Sequence, residues 1–366
     1  MLKRSFGVAA VTAAAALLLA ACSSGSDTAA SEDTAAGAAS GLACVILPDS
    51  ASSPRWENGD RPALKEALEA AGFTTDIQNA EGDTAKMLTI GDQMLASGCN
   101  VMIITDYQGA GAQVAAKSKA QGVPTIAYDR PIEGVDYYVS FDNVTVGTLQ
   151  GEGIIKCLTD AGKDPKTAEL IFLDGDPTDG NAAMFAEGYD TALKAAGVEV
   201  DKAKLGAKRP DGTWDGAKAG TNFEQALTAN GGKVDAVVSA NDTNAASAIA
   251  ILDKNKLTVP VSGQDASKEG MNNVLSGKQC MTVFKDYLVE ASTAADLAIA
   301  ILKGETPTTN KQLADGTPFQ AADPQALYAD AASLEGFKAA LDRSGLTAAD
   351  VCTGDAAAKC TEIGLS

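Results

Sequence analysis

The sequence of 366 residues contains no histidine. Histidine is the usual general base near neutral pH, so its absence excludes Ser-His-Asp and Cys-His catalysis as well as histidine-based zinc sites. Catalysis by paired carboxylates or lysine stays open. No Cys-x-x-Cys spacing occurs either, which argues against zinc bound by cysteine. These absences make an enzyme less favoured, and we expect no cofactor and no metal.

Basic residues are also few relative to acidic ones. The chain has 29 Lys and Arg against 48 Asp and Glu, for a net charge of −19. A nucleic-acid partner needs a basic face, so this balance argues against one. After the first residues no segment is apolar enough to span a bilayer. This composition is typical of a dispersed, extracytoplasmic protein, and we expect a monomer.

The first residues are typical of an export signal. Lys3 and Arg4 precede an apolar run over residues 8–20, which ends in Leu19-Ala20-Ala21-Cys22. Small residues before a cysteine resemble a bacterial lipobox, in which cleavage after residue 21 leaves Cys22 to take a diacylglycerol. An ordinary secretory signal with a chance cysteine is the alternative. Residues 23–41, rich in Ser, Ala, Gly and Thr, predict a flexible linker. We expect a protein anchored at the extracytoplasmic face of the cell membrane, or in a periplasm.

From residue 42 onward, short β-branched runs alternate with longer amphipathic stretches. Two consecutive sets of such units predict an α/β protein with two doubly wound, mostly parallel sheets. Asp242 is predicted to cap a helix. The predicted strands cover residues 43–47, 73–78, 101–105, 123–128, 137–141, 168–173, 198–204, 234–239, 258–262 and 279–284.

Polar clusters follow many of these strands, where a doubly wound sheet binds ligands. Examples are Arg55-Trp56, Asp129-Arg130 and Gln264-Asp265. A sugar needs this mixture of charged, amide and aromatic side chains. Its hydroxyl groups donate to carboxylates and accept from basic groups and amides, and the C–H faces of its ring stack on aromatic rings. Each cluster also has a local explanation, such as an ion pair within Asp129-Arg130 or a purely packed Trp214.

The stretch from Asp174 to Gly180 looks like a calcium-binding loop, but we do not predict one. An EF-hand needs oxygen ligands at positions one, three and five and glycine at six. Here position five is Thr178, position six is Asp179, and Pro177 stands at position four.

Several longer stretches resemble the type I periplasmic sugar-binding proteins of ABC transporters, and most of all their xylose-binding branch. They are spread over residues 42–305, and Ser-Gly-Gln-Asp together with Met-Thr-Val-Phe-Lys is the most specific pair. The matching stretches are Arg55-Trp56, Ala127-Tyr128-Asp129-Arg130, Ser140-Phe141-Asp142-Asn143, Pro177-Thr178-Asp179-Gly180-Asn181-Ala182, Ala226-Leu227-Thr228-Ala229-Asn230, Val234-Asp235-Ala236-Val237-Val238, Ser239-Ala240-Asn241-Asp242, Ser262-Gly263-Gln264-Asp265 and Met281-Thr282-Val283-Phe284-Lys285.

The resemblance implies two lobes joined by a three-segment hinge that closes around a ligand. The first lobe would comprise residues 42–141 and 286–310, and the second lobe and tail would comprise residues 142–285 and 311–366. The implied sugar contacts are Arg55, Trp56, Asp129, Arg130, Asp179, Asn181, Trp214, Asn241, Asp265 and Lys285, with Tyr107 and Gln108 as weaker candidates. The sequence departs from the family where Lys208-Arg209-Pro210 replaces a second tryptophan and where Gly180 replaces an asparagine.

The function implied by the resemblance is that of a binding protein, not an enzyme, which captures a monosaccharide, D-xylose or a similar aldopyranose, for delivery to an ABC permease. Another pentose or hexose, a nucleoside or a signalling furanose on the same fold is the alternative. A sugar-sensing receptor component and a carboxylate-based glycosidase are more distant ones. A sugar-responsive repressor would need an N-terminal DNA-binding helix pair, where this chain has its export signal.

Six cysteines remain if Cys22 carries lipid, and an even number in an exported protein suggests disulfides. Fifteen pairings are possible, and buried free thiols are the alternative. As a hypothesis, strand neighbours in the expected sheet order pair Cys44 with Cys99, and closeness in sequence pairs Cys352 with Cys360. Cys157 and Cys280 would then form the third pair.

Overall fold

The computed structural model describes residues 41–51, 53 and 55–366. The predicted signal segment 1–22, with Cys22, and all of the predicted linker except Gly41 lie outside these residues. Within the described ranges, no helix combines the length and the apolar character needed to cross a bilayer.

The strands form one large sheet and two strand pairs. The large sheet has the order β2-β1-β3-β4-β5-β10-β9, and all its pairs are parallel except β10 with β9. The pairs are β6-β7, which is parallel, and β8-β11, which is antiparallel. The strands are β1 (Leu42–Leu47), β2 (Thr74–Asn79), β3 (Val101–Ile104), β4 (Thr125–Tyr128), β5 (Tyr137–Phe141), β6 (Leu170–Leu173), β7 (Ala236–Ser239), β8 (Met281–Phe284), β9 (Lys311–Gln312), β10 (Pro318–Ala322) and β11 (Gln325–Tyr328).

Helices connect most of these strands, and a π-helical turn at Trp56–Asp60 precedes the first of them. The helices are α1 (Arg61–Ala70), α2 (Thr84–Ala96), α3 (Ala110–Ala120), α4 (Asn143–Asp160), α5 (Gly180–Ala195), α6 (Lys202–Leu205), α7 (Gly216–Ala229), α8 (Asp242–Lys254), α9 (Lys268–Leu275), α10 (Tyr287–Leu302), α11 (Leu334–Arg343), α12 (Ala348–Val351) and α13 (Ala356–Ile363).

Strand β1 shows that the large sheet is covered on both faces. Ala43, Val45 and Leu47 pack in a cluster with residues of α1 and α10. Cys44 and Ile46 pack in a second cluster with residues of α2 and α3. Successive side chains of a strand point to opposite faces, so a strand buried on both faces reads as a continuous apolar run. This is the pattern that the sequence shows at residues 42–47.

The second half of the chain repeats this arrangement around β6. Leu170 and Phe172 pack with α4 and α5, whereas Ile171 and Leu173 pack with α7 and α8. Single parallel bridges from Val237 to Val261 and from Gln264 to Val283 connect β6-β7 with β8-β11. The predicted α/β class with two doubly wound sheets is therefore confirmed.

Two predicted strands differ from the structure. The region predicted as strand 198–204 contains helix α6, because the Asp201 side chain accepts a hydrogen bond from the backbone N–H of Ala203 and caps it. The region predicted as strand 258–262 forms only the bridge at Val261. Pro260 has no backbone N–H, which removes one ladder donor at this position.

The chain passes three times between the two sheets. The first two passages follow β5 and β8. The third was predicted after residue 302, but it follows β10, because Ala322 pairs with Phe141 and Gln325 pairs with Phe284. Residues 311–322 therefore belong to the first sheet and not to the second lobe, where the sequence analysis placed them. The sequence of β10 gives little indication of which sheet edge this strand joins.

The three hypothesised disulfides are all present. Cys44 pairs with Cys99, Cys157 with Cys280, and Cys352 with Cys360, with Cα–Cα distances of 6.0, 6.3 and 5.9 Å. The first joins β1 to the turn before β3, and the second joins α4 to the turn before β8. The third lies within the last helices, where Asn272 of α9 donates to the carbonyl of Val351. The C-terminal residues are thus attached to the second sheet's helical layer.

Candidate functional site

A pocket lies between the strand ends of the two sheets, and we call it the inner pocket. Its volume is about 50 Å³. It brings together ten of the twelve predicted ligand-binding residues, four from the first sheet and six from the second. Its lining residues are Ser53, Arg55, Trp56, Asp129, Arg130, Asp179, Asn181, Phe185, Trp214, Asn241, Gln264, Asp265 and Lys285.

The two weaker candidates, Tyr107 and Gln108, do not line the inner pocket. They line a larger neighbouring cavity of about 710 Å³, which we call the outer cleft. The two cavities share Arg130, Asp179 and Trp214. The outer cleft is lined by Asp49, Ser50, Ala51, Glu81, Gly82, Asp106, Tyr107, Gln108, Arg130, Asp176, Thr178, Asp179, Thr213, Trp214, Asp215, Gly216, Lys218 and Thr243.

Arg55 is held by three buried carboxyl groups. Its Nε and Nη2 donate to the two oxygens of Asp60 at 2.9 and 2.8 Å, and Nη2 also lies 2.5 Å from Glu290. Nη1 lies 3.3 Å from Asp129 and faces the pocket. Burial opposes the charge of Arg55, but Asp60, Glu290 and Asp129 outweigh it and raise its pKa well above the usual value. The guanidinium is therefore a fixed, permanently charged donor.

Asp129 is positioned from both halves of the chain. Its backbone has a φ of 62°, a left-handed conformation that a non-glycine residue rarely adopts. The Nδ2 of Asn181 donates to the Asp129 carbonyl at 2.8 Å, and the Oδ1 of Asn181 accepts from Tyr138 and Asn143. Burial opposes ionisation of Asp129, but Arg55, Lys285 and Arg130 overcome it and lower its pKa. Asp129 is thus a carboxylate at neutral pH and can accept hydrogen bonds from hydroxyl groups.

An ion pair between Arg130 and Asp179 lies where the inner pocket meets the neighbouring outer cleft. Arg130 Nε lies 3.3 Å from Asp179, and the indole N–H of Trp214 donates to the same carboxylate oxygen at 3.1 Å. Asp179 also caps α5 by accepting from the backbone N–H of Asn181. Burial raises the pKa of Asp179, and Arg130 acts in the opposite direction. Trp214 meets Phe185 edge to face, with ring centroids 6.4 Å apart.

Asp265 and Lys285 form the opposite side of the pocket. Their charged atoms are 3.7 Å apart, and Asp265 has a left-handed φ of 101°. The Lys285 ammonium lies 5.7 Å from the ring centres of Phe141 and of Phe185. Backbone strain of this kind persists where the surroundings hold a side chain in a required direction.

The predicted cap of α8 is corrected by one residue. Asn241, not Asp242, caps the helix, because its side chain accepts from the backbone N–H of Asn244 at 2.9 Å. Asp242 instead lies buried behind Asp265 and accepts from Gln279, Thr282 and the backbone N–H of Ser267. Burial and the neighbouring Asp265 raise the pKa of Asp242 to about 7. Asp242 therefore supports the loop that carries Asp265.

Arg209, which occupies a stretch where the family pattern has a tryptophan, is structural. Its Nε donates to Asp174 at 2.8 Å, and its Nη1 donates to Asp190 at 2.9 Å. Burial opposes the charge of Arg209, but Asp174 and its neighbours raise its pKa. Asp174 is thus paired with Arg209 and lines neither the inner pocket nor the outer cleft, whereas Asp179 lines both.

Five residues of the site were not among the predicted ligand contacts, although Gln264 was part of a predicted polar cluster. Ser53, Phe185 and Gln264 line the inner pocket, whereas Asp60 and Glu290 lie behind Arg55. Phe185 lies one helical turn after Asn181, and Gln264 stands within the Ser-Gly-Gln-Asp stretch, so spacing could have indicated both. Glu290 is an acidic residue on the apolar face of α10, which is a detectable departure from amphipathic patterning.

The inner pocket therefore combines fixed cationic donors, carboxylate acceptors, amides and two indole rings. These groups come from both sheets and converge on one small volume. A ligand with several adjacent hydroxyl groups and an apolar ring face fits this set of partners.

Comparison with known proteins identifies the family. The sequence model of the periplasmic binding protein domain family matches residues 44–306 of this chain. The D-xylose-binding periplasmic protein of Escherichia coli is 34% identical over 268 residues, which cover 72% of this chain and 78% of that protein. This chain belongs to the type I periplasmic sugar-binding proteins of ABC transporters. The family membership confirms a binding protein rather than an enzyme, and it agrees with the expected extracytoplasmic location.

Other members of the family differ in the ligands for which they are named. A multiple sugar-binding periplasmic protein of Azospirillum brasilense is 34% identical over 292 residues, covering 74% of this chain and 80% of that protein. A solute-binding protein of Clostridium phytofermentans with bound β-D-glucose has a TM-score of 0.72 and 29% identity, and the match covers 85% of this chain and 99% of that one. Membership in this family therefore does not by itself identify the sugar.

Proposed function

We propose that this protein is a lipid-anchored receptor that captures a monosaccharide, D-xylose or a similar aldopyranose, and delivers it to an ABC permease. The observation that carries the proposal is the inner pocket, where Arg55 and Asp129 of the first sheet face Asp179, Asp265 and Lys285 of the second. The partners are the sugar, the permease, and the membrane through a lipid on Cys22. The protein acts as a monomer.

The pocket chemistry supports a small, uncharged polyol ring. Asp129 and Asp265 accept from hydroxyl groups, whereas Arg55, Arg130 and Lys285 donate to hydroxyl or ring oxygens. The carboxylates and cations already neutralise one another at 3.3 and 3.7 Å, so an uncharged ligand leaves no net charge buried. A ligand that lacked one hydroxyl would leave a hydrogen-bonding position of a buried charged group unfilled, which is the basis of selectivity.

Closure couples to binding in this proposal. The two lobes, 42–141 with 286–322 and 142–285 with 323–366, move about the three passages between the sheets. A sugar contacts both walls only when they approach each other, so it stabilises the closed form. The permease then recognises the closed form at the membrane.

The ligand is tested by a thermal-shift screen with D-xylose, D-ribose, D-glucose and D-galactose. A tight ligand raises the melting temperature by mass action, and we expect the largest rise with D-xylose. A larger rise with D-glucose would assign the pocket to a hexose, the alternative that the glucose-bound relative favours. No rise with any of the four sugars would refute the proposal.

Replacing Asp265 by alanine tests the site. The variant loses charge-assisted hydrogen bonds to the sugar, so we expect its affinity to fall by about tenfold or more in calorimetry. Asp253→Ala is the matched control, because Asp253 forms an exposed ion pair with Lys278 at 2.7 Å outside both cavities. Unchanged affinity in Asp265→Ala would remove this residue from the site.

A further inference from the structure

The outer cleft adjoins the inner pocket and is much larger. Its volume is about 710 Å³, against about 50 Å³ for the inner pocket. Arg130, Asp179 and Trp214 belong to both linings, so they form the boundary between the two cavities. A group attached to a sugar in the inner pocket would pass this boundary into the outer cleft.

The lining of the outer cleft has the same mixed chemistry as the inner pocket. Tyr107 and Gln108 come from the first sheet, whereas Thr178 and Lys218 come from the second. Within the described residues, no hydrogen bond or ion pair is formed by the side chains of Gln108 and Lys218. They are an amide and an ammonium that can bind hydroxyl groups, beside the aromatic surfaces of Tyr107 and Trp214.

The loop that carries Tyr107 and Gln108 is held in place before any ligand arrives. The carboxylate of Asp106 accepts from the backbone N–H groups of Gly109 and Gly111 at 2.8 and 2.7 Å. Gln108 has a φ of 50°, and Glu81, which lines the same cleft, has a φ of 55°. Non-glycine residues in this left-handed region are uncommon and concentrate at binding sites.

The acidic residues of the cleft do not form a cation site. Asp176 accepts from the backbone N–H and the hydroxyl of Thr178, and Glu81 accepts from Ser50. In the described part of the chain, no group of three or more Asp, Glu, Cys or His side chains is placed to hold a metal ion. The carboxylates thus shape the loops and leave acceptor capacity for hydroxyl groups.

We propose that the outer cleft is a second sugar subsite, which binds the second ring of a disaccharide whose first ring occupies the inner pocket. This inference rests on the proposed function, because it takes the inner pocket as the first subsite. The second ring lies against Tyr107 and Trp214, and Lys218 and Thr178 bind its hydroxyl groups. The protein then accepts short glycosides as well as single sugars.

The test is calorimetry on the full chain with D-xylose, D-glucose, xylobiose, cellobiose and maltose. We expect at least one disaccharide to bind as tightly as its monosaccharide or more tightly. Lys218→Ala should weaken that disaccharide about fivefold, and Thr178→Trp, which fills the cleft, should weaken it at least tenfold. Both variants should change monosaccharide affinity by less than twofold, because neither residue lines the inner pocket.

The outcomes separate this inference from the proposed function. If a monosaccharide binds and none of the disaccharides does, the second subsite is refuted while the sugar receptor stands. If a disaccharide binds equally well to Thr178→Trp, its second ring lies elsewhere and the outer cleft is excluded. If none of the five sugars binds, the proposed function fails and the inference fails with it.

Discussion

Replacing Glu290 by glutamine tests the protonation of a carboxyl group behind the inner pocket. Asp60, Asp129 and Glu290 surround the single guanidinium of Arg55, and like charges this close favour retention of a proton. Burial raises the pKa of Glu290 to about 8, with Arg55 opposing and Asp129 and Asp60 adding to the rise. Among the described residues, no group donates a hydrogen bond to the Oε1 of Glu290. This is expected if Oε1 carries the proton and itself donates a hydrogen bond to Asp129.

The size of the contribution of Glu290 to the free energy of unfolding follows from proton linkage. The folded-state pKa of about 8 lies above the ordinary value of 4.5, so the folded protein holds a proton that the unfolded chain releases. The contribution of Glu290 to stability is therefore fully present below pH 4.5 and is lost as the pH rises through 8. At about 1.4 kcal/mol per pH unit, this interval corresponds to ~5 kcal/mol in the free energy of unfolding. Glutamine mimics the protonated carboxyl group and does not titrate.

The assay is urea denaturation between pH 4.5 and 8.5, followed by the fluorescence of the two tryptophans. We expect the stability of the unmodified protein relative to Glu290→Gln to fall by several kcal/mol over this range. Glu335→Gln is the control, since Glu335 is 82% exposed and pairs only with Lys338. Parallel stability profiles of the unmodified protein and Glu290→Gln would refute the protonated carboxyl group.

Three further predictions follow from other parts of the chain. Gly175→Ala places a methyl group 2.1 Å from the Trp214 ring, so the indole must move, and we expect calorimetry to show at least tenfold weaker sugar binding. Replacing Cys352 and Cys360 together by serine removes a short cross-link, which should lower the free energy of unfolding by about 2–3 kcal/mol in urea without changing sugar affinity. Cys22→Ala should release the protein from the membrane fraction, and mass spectrometry of the unmodified protein should show a diacylglycerol on Cys22.

Most strands were predictable because they are buried on both faces. Residues 42–47, 101–104 and 170–173 read as continuous apolar runs, which is what a sheet between two helical layers requires. The wrong strand predictions occur where a local feature of the sequence, such as a helix cap, competes with the alternating pattern of apolar residues. Val198 and Val200 alternate with polar residues, as in a strand. The side chain of Asp201 nevertheless caps a helix that begins at Lys202, four residues after the start of the predicted strand.

The candidate site was predictable in part for a similar reason. The carboxyl ends of parallel strands meet at one edge, so Asp129, Asp265 and Lys285 could be expected to lie close together. The contact of Glu290 with Arg55 could not be predicted, because the two residues are 235 positions apart in the chain, and the patterning of α10 marks Glu290 only as an unusual buried acid. A long-range ion pair leaves no spacing pattern in the sequence.

The sequence by itself determined the α/β class, the two sets of strand-helix units and the polar clusters that follow their strands, because burial and turn chemistry act on neighbouring residues. Only the tertiary structure decided that β10 joins the first sheet, that Tyr107 and Gln108 face a separate outer cleft, and that three carboxyl groups share Arg55. These features depend on contacts between residues far apart in the chain. Hydrophobic periodicity specifies which faces are buried but not which distant partners meet there.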